Sequence, residues 1–280
     1  MVKLSQNPSV IFRWLGVAGM EFTLRDQILL IDPLLSRPPL RNVFLGRISP
    51  EIQLVNEKIT KADHILITHA HYDHLLDVPG IARHTGAQVF GSANVCELLK
   101  VLQVPSAQLH EMHAFDEIEL PYARVKVIPA SHPFIPAYNS GKLSTNLRPP
   151  LRLRDYRMDK CFSFLIEFEN IRFLVWSSIS VEHAQPADAL FLRAVASQSW
   201  YSELLNSVHP RLAIPTHWDN MFLPTSQPVR PFFSSPTLKS PFIRKVDLEE
   251  FKKKIHRADP DCKTLIPQIF KPYDLMDAIG

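Results

Sequence analysis

Glycine is scarce in this sequence, 8 of 280 residues against a usual share of about 7%. Glycine-rich phosphate loops are therefore nearly excluded. Gly16-Val17-Ala18-Gly19 resembles a dinucleotide fingerprint only superficially, because it lacks the third glycine and a following helix. Three cysteines (Cys96, Cys161, Cys262) are widely spaced and form no CxxC pair. That argues against a disulfide framework and suits a reducing compartment. Neither sign of charge dominates: 31 Lys and Arg against 28 Asp and Glu leave a formal +3. The strongly basic balance of a nucleic-acid binder is missing. No apolar run approaches the roughly 20 residues that cross a bilayer. The opening MVKLSQNPSVIFRWLG has no continuous apolar core of the signal-peptide kind. The expectation is a cytoplasmic protein with neither nucleic acid nor membrane insertion.

What the sequence does have is an ordinary globular balance, 46% hydrophobic and 21% charged, enough to bury a core. A length of 280 residues is read as a single domain over residues 1–280, with an insertion at about 133–160. Proline is abundant, 24 residues, so turns rest on Pro, Asn and Asp. Short apolar runs predict strands at Val10–Leu15, Met20–Leu24, Ile28–Ile31, His64–Thr68, Gln88–Phe90, Gln108–His110, Glu117–Leu120 and Arg124–Pro129. Phe162–Glu169 and Ile171–Trp176 read as a hairpin turning at Glu169-Asn170, followed by strands Arg211–Pro215 and Lys263–Ile266. Helices are expected at Glu51–Lys61, Val78–Thr85, Ala93–Leu102 (capped by Ser92), Gln198–Val208 and Val246–His256. Arg37–Pro50 and residues 222–242 read as irregular, and no motif in the latter assigns an oligomer contact.

The central signal is Thr68-His69-Ala70-His71-Tyr72-Asp73-His74, directly after an apolar strand. Two histidines two apart at a strand end can point to one side. Asp73 and His74, one turn on, can face a second point nearby. Neutral imidazole and carboxylate are ligands suited to zinc, and they admit manganese or iron.

HxHxDH after a strand resembles the signature of the metallo-β-lactamase-fold superfamily, nearest to its lactonase- and phosphodiesterase-like branch of metal-dependent hydrolases. Leu15–Gly19 and Leu30-Ile31-Asp32-Pro33 resemble that family's opening hairpin. The resemblance implies an α+β fold, a four-layer αββα sandwich. It also implies ligands beyond the motif: His132, after the strand Val125–Ala130, and His217, after Ala213-Ile214. His69, His71 and His132 would form one zinc site; Asp73, His74 and His217 would form a second. The family's bridging aspartate is missing, and Ser178 stands where it belongs, with His183 or Asp188 as distant substitutes. Less negative charge between two dications weakens the second site, so one or two ions are expected.

The implied chemistry is attack by a metal-bound hydroxide on a small ester, lactone or phosphodiester, with Asp73 orienting the water or taking its proton. Asp32, Asp63 and Asp219 are candidates to orient the ligands. Tyr138, Lys142 and Arg154, in the long insertion after His132, are candidates to bind an anionic small-molecule substrate. Trp176, Trp218 and Phe222 are candidates for an apolar wall. Two rivals stand beside this reading. One is a metal-binding protein whose catalysis is impaired by Ser178. The other is β-lactam hydrolysis, against which the opening sequence argues.

Overall fold

The computed structural model describes residues 9–133, 140–234 and 244–280. Its first half runs β1 (Val10–Gly16), β2 (Gly19–Leu24), β3 (Gln27–Ile31), α1 (Leu40–Leu45), α2 (Ile52–Lys58), β4 (His64–Leu66), α3 (Tyr72–Leu75), α4 (Val78–Thr85), β5 (Gln88–Gly91), α5 (Ala93–Val101) and β6 (Leu109–Glu111). The second half runs β7 (Glu117–Glu119), β8 (Arg124–Pro129), β9 (Phe162–Phe168), β10 (Ile171–Val175), β11 (Ala189–Arg193), α6 (Gln198–Val208) and β12 (Leu212–Thr216). After it come β13 (Phe233–Ser234), β14 (Arg244–Lys245), α7 (Leu248–Ala258), β15 (Lys263–Thr264), β16 (Pro272–Asp274) and α8 (Leu275–Ile279).

Two seven-stranded sheets result, ordered β16-β1-β2-β3-β4-β5-β6 and β15-β12-β11-β10-β9-β8-β7. They share one pairing plan. From β1 to β6 the chain makes two antiparallel pairings and then three parallel ones. The series β8-β9-β10-β11-β12-β15 repeats it. This internal duplication leaves no visible repeat in the sequence, because it lies in the pairing and not in residue identity.

Alternation along the strands separates the layers. Phe12, Phe22, Phe173 and Phe191 face the space between the sheets and form its core. Their rings meet at good aromatic distances: Phe12–Phe191 at 5.0 Å and Phe22–Phe191 at 5.3 Å, both edge-on. Leu30, Ile65 and Ile67 point the other way, onto the helices of the first half. Leu190, Leu192 and Ala213 face α6 and α7, through Tyr201, Leu204 and Phe251. The result is the helix–sheet–sheet–helix sandwich expected of the family. Helices α5 and α6 open as anticipated, with Ser92 and Ser197 capping them.

Several expectations need correction. Arg37–Pro50 contains α1, fastened by the buried Val43. The expected helix 51–61 stops at Lys58, and strand β4 stops at Leu66, two residues short of Thr68. Strands β11 and β16 and helix α8 carried no clear signal. Ala189–Arg193 is a short run that is nearly all buried, and periodicity cannot separate such a strand from a core helix segment. The insertion, where described, is packed rather than open. Leu151, Leu153 and Tyr156 are buried in the outer layer of the first sheet. Asp159 accepts from the Ser92 hydroxyl and the Asn94 amide at the start of α5.

Candidate metal centre

Parallel pairing puts the C-terminal ends of β3, β4 and β5 on one edge of the first sheet, and those of β10, β11 and β12 on one edge of the second. Strand β8 runs the same way as β10. The segments after β4 (the turn and α3), β8 and β12 carry the six residues anticipated from the sequence, and the structure brings all six together. His69, His71 and His132 offer ligand atoms within 4.8 Å of one another, and so do Asp73, His74 and His217. The triplets adjoin, with the rings of His69 and His74 centred 4.0 Å apart.

The ring orientations follow from oxygen partners on the far side. Asp32 Oδ2 accepts the Nδ1–H of His74 at 2.8 Å and the Thr68 hydroxyl at 2.6 Å. That hydroxyl in turn lies 2.9 Å from His69 Nδ1. The Pro133 carbonyl accepts from His132 Nδ1 at 2.7 Å. Each contact assigns the proton to Nδ1 and leaves Nε2 as the donor atom. Asp73 Oδ2 lies 3.1 Å from His217 Nε2 and 3.6 Å from His74 Nε2. Within the cluster, His69 Nε2 and Asp73 Oδ1 are buried and have no hydrogen-bond partner among the described residues. Orphaned polar atoms are costly inside a protein, and here they sit within groups of convergent donors. The donor set therefore fits a divalent cation.

The electrostatics agree. Burial, with four neighbouring histidines, holds His69 well below the usual imidazole range. Burial likewise pulls His132 down to about 4, against the raising effect of the Pro133 carbonyl. Both rings are thus neutral and able to ligate. Burial would raise Asp73, but His74 and His217 outweigh it and keep the carboxylate ionised. Burial would lower His74, but Asp32 and Asp73 outweigh that and raise it. Only His217 is substantially open, with 40% of its side chain exposed. It marks the open side of the cluster.

The neighbouring candidates divide. Among the described residues, the Asp219 carboxylate bonds to Val17 and Arg37 and to no histidine side chain. Its Oδ1 accepts from Val17 N at 2.9 Å and its Oδ2 pairs with the buried Arg37 at 2.9 Å. The Val17 carbonyl in turn accepts from His217 N, so Asp219 positions the loop that carries His217. Gly16 serves the same packing: it has φ +101°, and a Cβ there would lie 2.0 Å from Arg37 Nη2. Ser178 is buried, and its hydroxyl accepts from the amides of Ser131 and Ser180, both at 3.1 Å. Asp63 lies at the opposite strand end and accepts from Ile28 N. Asp188 also lies there, holding Arg172 N, while His183 is exposed against Phe115. Neither replaces the missing aspartate.

Lys142 and Arg154 are exposed on the packed strap formed by the insertion. Tyr138 lies outside the described residues. Trp176 and Trp218 are core residues, Trp218 stacked on Trp14 at 4.8 Å, and Phe222 packs at the edge of the first sheet's outer core. Sequence reasoning missed Thr68, Arg37 and Cys161, whose Sγ lies 3.9 Å from His69 Nδ1. Thr68 was open to discovery as the residue joining the strand to the motif. Nothing in the sequence marked the other two.

The family profile described as Beta-lactamase superfamily domain matches residues 27–177. A protein named metal-dependent hydrolase from Methylocella silvestris is 38% identical over 86 residues, 31% of this chain and 33% of that protein. One of the same name from Polynucleobacter asymbioticus is 25% identical over 229 residues, covering 74% and 73%. The chain thus spans a third of the length of the first relative. Among solved structures, YhfI from Bacillus subtilis, a metallo-beta-lactamase fold protein, superposes with a TM-score of 0.60 at 10% identity, covering 96% of this chain and 100% of that one. Likeness at that identity speaks for the fold alone, but the profile covers more than half of the sequence and includes the motif. The chain belongs to the beta-lactamase superfamily.

Proposed function

We propose that the chain is a metal-dependent hydrolase of small-molecule substrates, with zinc its natural ion and manganese or iron as alternatives. The convergence of six donors in two adjoining triplets carries this reading, together with the two partnerless atoms His69 Nε2 and Asp73 Oδ1. His69, His71 and His132 would hold one ion, and Asp73, His74 and His217 a second. A bound dication supplies an activated water near neutral pH and polarises the oxygen under attack.

The chain's own residues supply the rest. Asp32 fixes His74 directly and His69 through Thr68, so the donors are aligned before any ligand arrives. Asp73 stays ionised, and its Oδ1 is the natural acceptor for a proton leaving the attacking water. His217 stands at the open rim, where a substrate oxygen enters. An ester, lactone or phosphodiester suits this arrangement, and an anionic group would be met by the cationic strap bearing Lys142 and Arg154. The three buried free cysteines suit a reducing compartment such as the cytoplasm.

The test is elemental analysis of protein purified without chelator, followed by turnover of a chromogenic ester, a lactone, a phosphodiester and a cephalosporin. The expected result is bound metal with turnover of one of the first three, both lost in His69→Ala/His71→Ala. Metal without turnover of any substrate would favour an impaired metal binder. Cephalosporin hydrolysis alone would favour the β-lactamase reading. No metal after incubation with zinc, manganese and iron would overturn the proposal.

A further inference from the structure

Helix α1 leaves an apolar face uncovered beside the strap. Leu40, Phe44 and Leu45 are large hydrophobic residues in the open, Leu45 with 84% of its surface exposed. The neighbouring strap is fixed to the same spot. Arg47 Nη1 donates to the carbonyls of Arg148 and Pro150, and Ile48 N donates to the Leu151 carbonyl. Leu151 and Leu153 are buried beneath, so the face has a rigid base.

Its charge is one-sided. Residues 40–52 and 147–154 contain Arg41, Arg47, Arg148, Arg152 and Arg154, all exposed. Glu51 is the single acid of these two segments, and its Oε1 is turned to the Arg37 amide. Just beyond, Asp155 accepts from Arg152 N. A small apolar face rimmed by arginines complements a surface that is apolar inside and negative outside. It does not complement itself. A two-fold pairing of copies would set Arg41 and Arg148 against their own kind. The described helices include none long and apolar enough to cross a membrane, so only attachment at the surface is in question.

We propose that this face docks the protein on an anionic lipid surface, with Phe44 and Leu45 entering the headgroup boundary and the arginines meeting the headgroups. The proposal needs no metal, so its failure leaves the hydrolase reading untouched, and the reverse also holds.

The experiment is co-sedimentation of the full chain with vesicles of phosphatidylcholine alone, and of phosphatidylcholine with a third replaced by phosphatidylserine. Binding is expected only to the mixed vesicles and should be released by high salt. Arg41→Ala and Arg148→Ala should each weaken it by about fivefold, and Leu45→Ser should weaken it further. A Leu45→Trp variant should shift its emission to the blue on mixing. Thermal melts of each variant guard against misfolding, and the sites are exposed enough to tolerate them. Equal binding to neutral vesicles, no binding to either, or no shift from Leu45→Trp would overturn the proposal. So would self-association in solution that Leu45→Ser abolishes, which would assign the face to a second copy.

Discussion

Asp32 and His74 share a fully buried hydrogen bond, Oδ2 to Nδ1, of 2.8 Å. The same carboxylate accepts the Thr68 amide and hydroxyl, and the hydroxyl holds His69. One acid thus orients a donor in each triplet. Asp32→Asn tests this cleanly, because Asp32 has φ +45°, a conformation that asparagine tolerates well. Metal affinity should fall by about 10–100-fold in a competition titration with a chromophoric chelator. An unchanged affinity would reduce Asp32 to a turn residue.

Arg37 and Asp219 form a buried ion pair with side chains almost wholly shielded. Removing one partner leaves the other charge uncompensated, at about 3–5 kcal/mol. Arg37→Met should therefore lower stability by that order in urea unfolding. Arg37→Met with Asp219→Asn should cost clearly less than the two single changes summed. Strict additivity would mean that the two side chains act independently.

Ser178, which the sequence resemblance sets against the family's bridging aspartate, has its hydroxyl committed to the Ser131 and Ser180 amides. Its work is to fix the loop that leads into His132. Ser178→Ala should cost about 1–2 kcal/mol in stability and leave the number of ions per chain unchanged. Loss of one ion per chain would make Ser178 a ligand after all.

Much of this site was legible because its residues are local. His69, His71, Asp73 and His74 fall within six residues, in the turn after β4 and the start of α3, where spacing alone brings them together. His132 and His217 were found through resemblance, since nothing in their own surroundings points across the sandwich. Arg37 was invisible for a physical reason: its partner Asp219 is 182 positions away, and only the doubled sheet brings them into contact. Strand β11 was missed because a short strand buried on both faces has no alternation to read. The prolines and charges of the insertion give no sign of packing. Its buried Leu151, Leu153 and Tyr156 follow no regular period, so pattern could not show that it packs.

The metal-free protein should lose stability as pH falls below neutrality. His69 and His132 are held low in the folded chain, mainly by burial, and His64, half-buried beside Tyr122, is lowered too. Unfolded, each titrates near 6.5. Below that value the unfolded chain binds more protons than the folded one, so stability rises with pH. With a folded value of about 4, His132 alone should cost about 2 kcal/mol at pH 5. His74 works in the opposite sense. Its raised pKa favours the folded state below 6.5, and that contribution fades as pH rises through the raised value. Asp73, held low, contributes nothing new in this window because it stays ionised throughout. Three lowered histidines against one raised predict a melting temperature that drops steadily from pH 7.5 to pH 5 in chelator-treated protein. His132→Gln should flatten the slope, and a flat wild-type profile would mean that the cluster is open to water when metal-free.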